Sequence, residues 1–374
     1  MKKSNMLKRF EVVGFKTFEN RVVFDLTARD YAFNPGLVQN GIVKNALVYG
    51  PNGIGKSCLG FAIFDIVSHL SDKKALNPRY LAEYQNIGLR AEDPVMFKYV
   101  FSFEGDEVVY EYAKTAQKEL LWERLEVGGN QLVKWDFMQT EDRDTSFFTQ
   151  KGLRVELPDN KLSVIKYIHR NSPTGTVPAL DRLMAFVDGM LWYRSLSDGN
   201  SYAGFTNGSS EIGAEICRLN GLAGFQEFLR ANDIVYELVS EKKDNEMTIF
   251  IRNPQTGRKM SFNTAASTGT KSLMLFYYWS ILSFEKLSFL FVDEFDAFFH
   301  YKTAAEIAKR LNQSSFQSVL TSHNTYLMQN DLTRPDCCFI MSEGRVRCLP
   351  DCTKREIREA HNLEKMYQNG AFTG

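Results

Sequence analysis

The chain has 374 residues, 44% of them apolar, which suits one large folded domain or one domain carrying a sizeable insertion. Its 45 basic and 45 acidic side chains cancel, so bulk charge gives no ground for a nucleic-acid or anionic-membrane partner. The basic start MKKSNMLKRFEVVGF lacks the apolar stretch of a signal peptide, and the longest apolar run, residues 273–284, is too short to span a bilayer.

Residues 10–15 and 21–26 alternate apolar and polar and predict two strands joined by a short turn. The segment NALVYGPNGIGKS, residues 45–57, follows. It is an apolar strand running into Gly50, Pro51, Asn52, Gly53, Ile54, Gly55, Lys56 and Ser57, a full match to the phosphate-binding P-loop, with Cys58 opening the next turn. The glycines let backbone N–H groups curl toward a polyphosphate, and the helix behind them adds its positive end. Lys56 is expected to reach the β- and γ-phosphates, and Ser57 to place its hydroxyl on Mg²⁺. An apolar helix (Leu59, Ile63, Ile66, Val67) then runs to about residue 70.

From residue 95 the period changes to two, in MFKYVFSF, EVVYEYA, LLWERLEV and QLVKWDF, which predicts an antiparallel meander over 95–139. Residues 140–232 are less regular. Helices are expected over 179–196 (Leu180, Leu183, Met184, Val187, Leu191) and 211–229, and Asp142, Arg143 and Asp144 read as a solvated loop rather than a nuclease metal site.

Strands return at 234–240, 247–252 and 259–262, with Asn253-Pro254-Gln255-Thr256-Gly257 as a turn. The loop Ser267-Thr268-Gly269-Thr270-Lys271 opens the apolar run to residue 284, expected to be a helix buried on all sides. Free N–H groups there suit an anion, while Ser267 or Thr268 would equally serve as a plain N-cap. Residues 289–292 read as a buried parallel strand ending in Asp293 and Glu294. Asp293 would hold Mg²⁺ through water, and Glu294 would orient or deprotonate the attacking water. A helix over 304–311 and a strand over 318–321 come next, the latter ending at His323, placed to donate to a γ-phosphate. A short strand over 338–341 and a helix over 356–367 complete the expected elements. Six cysteines without a C-x-x-C pair read as reduced cytoplasmic thiols, and Cys337, Cys338, Cys348 and Cys352 as core or surface thiols rather than a zinc site.

P-loop, long insertion, Ser-x-Gly-x-Lys-Ser-Leu, Asp-Glu-x-Asp-Ala and strand-His, in that order, resemble the ABC-type ATPases of the SMC and RecF kind. That resemblance covers residues 7–70 and about 234–345. It implies an α/β ABC-type ATPase core with an antiparallel β subdomain and a mixed, mainly helical insertion. Four parts are expected: 1–94 with the P-loop, 95–139 as the meander, 140–232 as an insertion for sensing or partner contact, and 233–374 as the second ATPase lobe. By the resemblance Ser267 and Gly269 act on the γ-phosphate in trans, in a homodimer that sandwiches ATP. Asp296-Ala297 resemble the D-loop, and Gln85 is the candidate for the Q-loop residue at the metal. Thr268, Thr270 and His300 depart from the usual pattern, which bears on hydrolysis rate more than on binding. Sustained heptads for a coiled-coil arm are absent from the sequence.

Within the superfamily, VDEFDAFFH, TSHNTYLM and HNLEKMYQNGAF resemble the stand-alone ATPases of bacterial abortive-infection and phage-defence operons. These act with a nuclease or toxin encoded beside them, often of TOPRIM fold. The resemblance implies a cytoplasmic ATPase using ATP and Mg²⁺, answering a phage-derived trigger and controlling such an effector. A RecF-like DNA-binding clamp is the alternative, and a transporter's nucleotide subunit fits least.

Overall fold

The structure, a computed structural model, describes residues 5–72, 82–153, 155, 162–194, 202–204, 212–243, 246–282 and 284–372. A strand covered on both faces needs apolar side chains at nearly every position. Asn45–Tyr49, leading into the P-loop, is buried throughout, as are Phe289–Asp293 and Gln317–Ser322. Asn45–Tyr49 lies between Gln317–Ser322 and Cys338–Ser342, parallel to both. Phe289–Asp293 runs parallel beyond Gln317–Ser322, and Met190–Arg194 runs parallel beyond that. Among the described residues this sheet has seven strands, closed at its edges by the antiparallel strands Tyr202–Gly204 and Arg345–Cys348.

The expected meander is present as Val95–Phe103, Asp106–Lys114, Leu120–Val127 and Asn130–Asp136. The N-terminal strands, Asn5–Val13 and Val22–Asp25, belong with it: Asn5–Val13 pairs antiparallel with Val95–Phe103, making one six-stranded sheet. The boundary expected at residue 94 therefore runs through a sheet. Period two identifies a strand but says nothing of its partner.

The helix expected over 179–196 is shorter. Pro178–Asp188 is helical, Gly189 ends it, and Met190–Arg194 joins the parallel sheet. A short apolar run satisfies either a helix face or a doubly covered strand, so MLWYR carried no local distinction. This strand also corrects the reading of 140–232 as an insertion apart from the nucleotide core. The stretch 211–229 is two helices, Ile212–Arg218 and Leu222–Ala231, broken where Asn220 takes φ 56°. The apolar helix is Thr268–Tyr277, followed by a wider π turn over Tyr278–Leu282, and Phe284 is exposed, so its end is not buried on all sides. Near the C-terminus the helix is Leu363–Gln368, capped by the Asn362 side chain, rather than 356–367. Residues 195, 196 and 211 lie outside the described residues.

The P-loop helix Lys56–Ile63 lies directly on the parallel sheet. At Gly60 a Cβ would stand 2.6 Å from the Phe291 ring, so only glycine permits this approach. Phe61 packs on Trp192 with ring centroids 5.1 Å apart. The next helix, Asp65–Leu70, is tied to the antiparallel sheet by a buried carboxylate. Asp65 accepts from the Tyr84 and Tyr112 hydroxyls at 2.7 Å each and from Lys114 Nζ at 2.5 Å. Glu123, equally buried, accepts from Tyr110 at 2.7 Å and Ser163 at 2.8 Å, and from the Val164 N–H that opens Val164–Asn171. Both carboxylates escape the usual cost of burial by being fully bonded.

Lys114→Met strips the cation from Asp65 and leaves a buried charge. It is expected to cost about 3–5 kcal/mol of unfolding free energy in urea titrations. A loss below about 1 kcal/mol would mean that the two phenols alone carry Asp65.

Candidate functional site

Gly53 (φ 78°) and Gly55 (φ 108°) take left-handed backbone that other residues adopt only at a cost, and this curls Gly50 to Gly55 into the P-loop between strand and helix. Lys56, the first helical residue, is buried and turns its ammonium back over the loop. It donates to the Gly50 carbonyl at 2.7 Å and the Pro51 carbonyl at 2.9 Å. Burial lowers its pKa, opposed by the charges of Asp293, Glu294 and Asp296. Pro51, Asn52 and Gly53 are exposed, Ile54 and Cys58 are half-buried, and Ser57 opens the helix beside Lys56.

Ser57 Oγ donates to Asp293 Oδ2 at 2.6 Å, and Thr321 Oγ1 donates to Oδ1 at 2.8 Å. Asp293 has no solvent exposure. Burial raises its pKa, while the two hydroxyls and the Arg194 charge act the other way. A hydroxyl and a carboxylate in contact at a strand end supply hard oxygen donors, so these residues fit Mg²⁺. Glu294, next along, takes φ 50° and leaves the strand. Its N–H donates to Thr321 Oγ1 at 2.8 Å, so one threonine fixes both acids.

A residue that the sequence reading missed completes this cluster. Arg194, the last residue of Met190–Arg194, donates to Glu294 through Nη2 at 2.5 Å and Nε at 3.2 Å. Its Nε also stands 3.6 Å from Asp293 Oδ2. In sequence MLWYR shares with FLFVD an apolar run closed by a charged residue, but so short a run fits a helix face equally well and does not single out Arg194. Gln85, expected at the metal, is bonded elsewhere. Its side-chain amide donates to the carbonyls of Arg90 at 2.8 Å and Asp93 at 2.6 Å, so its own loop holds it rather than Ser57 or Asp293.

Ser267 caps the helix Thr268–Tyr277 by accepting from the Thr270 N–H at 3.2 Å. Gly269 packs on the loop after the acidic strand, where a Cβ would meet the Phe298 carbonyl at 2.9 Å. Among the described residues no hydrogen bond or ion pair joins 267–271 to the P-loop. His323 is exposed at the end of Gln317–Ser322, one strand from the P-loop. Its loop is moored by Asp296, whose Oδ2 accepts from Ser322 at 2.8 Å, Asn324 at 3.0 Å and Tyr326 at 2.6 Å. His300 is exposed and packs against Tyr301, the rings tilted by 43° with centroids 4.4 Å apart. The cysteines are free, burial raises the thiol pKa of Cys337, Cys338, Cys348 and Cys352, and among the described residues no three or more His, Cys, Asp or Glu side chains gather as a metal site.

Residues 46–329 match a family model described as "AAA domain, putative AbiEii toxin, Type IV TA system". The chain belongs to this AAA family. In structure the AAA protein is similar to an SMC head domain from Thermotoga maritima, at 18% identity and TM-score 0.41, over 91% of this chain and 97% of that one. It is also similar to an Smc head with an extended coiled coil, bound to the C-terminal domain of ScpA, from Pyrococcus furiosus (13% identity, TM-score 0.47, 92% and 96% covered). A third likeness is to the recombination mediator RecF with ATP (16% identity, TM-score 0.43, 92% and 99% covered). No curated protein matches the AAA chain. None of its described helices is long and apolar enough to cross a membrane.

Because the folded-state pKa of Asp293 is raised above the free value of about 3.9, its ionised form costs folding free energy at pH above the folded-state pKa, and the cost shrinks as pH falls through that pKa and is gone below the free value. Asp293→Asn is therefore expected to melt higher than wild type at neutral pH, with the gain lost in acid. The same change should weaken Mg²⁺-dependent nucleotide binding about 10- to 100-fold. Thermal melts at both pH values and a nucleotide titration check the pair, and an Asn variant that melts lower at neutral pH contradicts it.

Proposed function

We propose that the chain binds and hydrolyses ATP with Mg²⁺ and closes as a homodimer, or a larger even assembly, around the nucleotide. In this reading it is the ATPase subunit of a bacterial anti-phage system of the abortive-infection type, controlling a separate effector such as a TOPRIM-type nuclease or a toxin. The observation that carries the ATPase reading is the contact of Ser57 with Asp293, with Glu294 fixed one residue beyond by Thr321. The family's description as an AbiEii-type toxin of a toxin–antitoxin system supports the defence reading.

In the proposed chemistry the P-loop N–H groups and Lys56 bind the phosphates, and His323 donates to the γ-phosphate. A Mg²⁺ held by Ser57 and, through water, by Asp293 would neutralise phosphate charge. Glu294 accepts a proton from water as the water oxygen attacks the γ-phosphorus. The bond from that phosphorus to the bridging oxygen breaks, and ADP leaves with the electron pair. Ser267 and Gly269 act across the dimer, on the nucleotide of the other subunit. ATP favours the closed dimer and hydrolysis resets it, so a trigger must bind one state better than the other. Sensing or effector contact falls to the parts of 140–232 outside the strand Met190–Arg194.

The test is a tagged Glu294→Gln chain, expressed with its neighbouring genes and purified with Mg-ATP. Hydrolysis is expected to fall by about 100-fold or more while nucleotide stays bound. Native mass spectrometry should find an even-numbered assembly with ATP and a second protein. A bare dimer that keeps duplex DNA at low salt and releases it at high salt would replace the defence reading with a RecF-like clamp.

A further inference from the structure

We propose that Arg194 reads the γ-phosphate from within its own subunit, gripping Glu294 before ATP binds and exchanging it for the γ-phosphate afterwards. The inference rests on the ATPase reading above. Arg194 is in register with Asp293 across parallel strands, and such neighbours share a sheet face. Trp192, two residues earlier and so on the same face, packs on Phe61 of the P-loop helix. Arg194 continues that face to the oxygen of Asp293 that accepts from Ser57.

Both Glu294 oxygens accept from the guanidinium, so a water must compete with Arg194 for them. The pair is not sealed in: the side chains are 18% and 22% exposed, whereas Asp293 is 0% exposed. An arriving triphosphate meets two cations, Lys56 and Arg194, and Arg194 is engaged to a rival anion. A γ-phosphate carries more charge than a carboxylate and suits the same planar fork. Exchange places a cation on the transferring group and frees Glu294 for water, so the base becomes available only when the γ-phosphate is present. ADP lacks the group that draws Arg194 away. Arg194 is thus a residue that discriminates ATP from ADP, supplied by a segment that sequence alone set outside the nucleotide core.

The experiment compares full-length wild type, Arg194→Ala, Arg194→Lys and Glu294→Gln by equilibrium titration with Mg-ATP and Mg-ADP and by single-turnover hydrolysis. Arg194→Ala is expected to weaken ATP about 10-fold, leave ADP within about 2-fold, and slow hydrolysis about 100-fold or more. Arg194→Lys, which keeps a charge against Glu294 but not the fork, should retain ATP binding and hydrolyse slowly, and it serves if the alanine chain does not fold. Added guanidinium ion should recover part of the rate of Arg194→Ala and none of that of Glu294→Gln. An Arg194→Ala chain with the wild-type ratio of ATP to ADP affinity, whether both are kept or both are lost, overturns the proposal while the ATPase reading stands. A wild-type chain that binds neither nucleotide defeats the ATPase reading itself. If wild type binds ATP without hydrolysing it, the affinity ratio still decides.

Discussion

Asp293 lies at the end of a fully buried strand, where a carboxylate is tolerated only because neighbouring elements bond to it. Ser57 reaches one oxygen from the P-loop helix and Thr321 the other from the adjacent strand, and the Arg194 charge stands beside the oxygen that Ser57 bonds. The same threonine hydroxyl accepts the Glu294 N–H, so the turn that aims the second acid depends on the contact that steadies the first. All of this requires the parallel register. A slip of one residue in either strand would send Asp293 or Arg194 to the opposite face and dissolve the cluster.

The P-loop helix is pressed into place from two directions. Gly60 and Phe61 bring it onto Phe291 and Trp192 of the parallel sheet. Asp65, which opens the next helix, fastens the continuing chain to Tyr112 and Lys114 of the antiparallel sheet. The loop that would hold phosphates is therefore positioned by both sheets. The antiparallel sheet, with no candidate site residue in its strands, is structurally part of the nucleotide core.

Legibility tracked how local each piece of information was. The P-loop, the acidic strand and the meander were readable because their patterns are dense and short-range: glycines at fixed spacing, an apolar run ending in two acids, period-two alternation. Met190–Arg194 was misread because five apolar-rich residues following a true helix continue its apolar face, and only pairing with Phe289–Asp293 makes them a strand. The place of Gln85 between helix and meander carries no information about where its amide points. In the fold that amide satisfies two carbonyls of its own loop.

By itself the sequence determined that this chain builds the glycine-rich turn of a P-loop motif, a buried strand ending in Asp293 and Glu294, and an antiparallel meander. Each follows from backbone constraints and side-chain period over a dozen residues or fewer. Tertiary structure alone decided which residues stand together: Ser57 with Asp293, Thr321 with both acids, and Arg194, a hundred residues away in sequence, with Glu294. Contacts between distant segments depend on sheet order and register, and nothing in the local pattern of either segment encodes them.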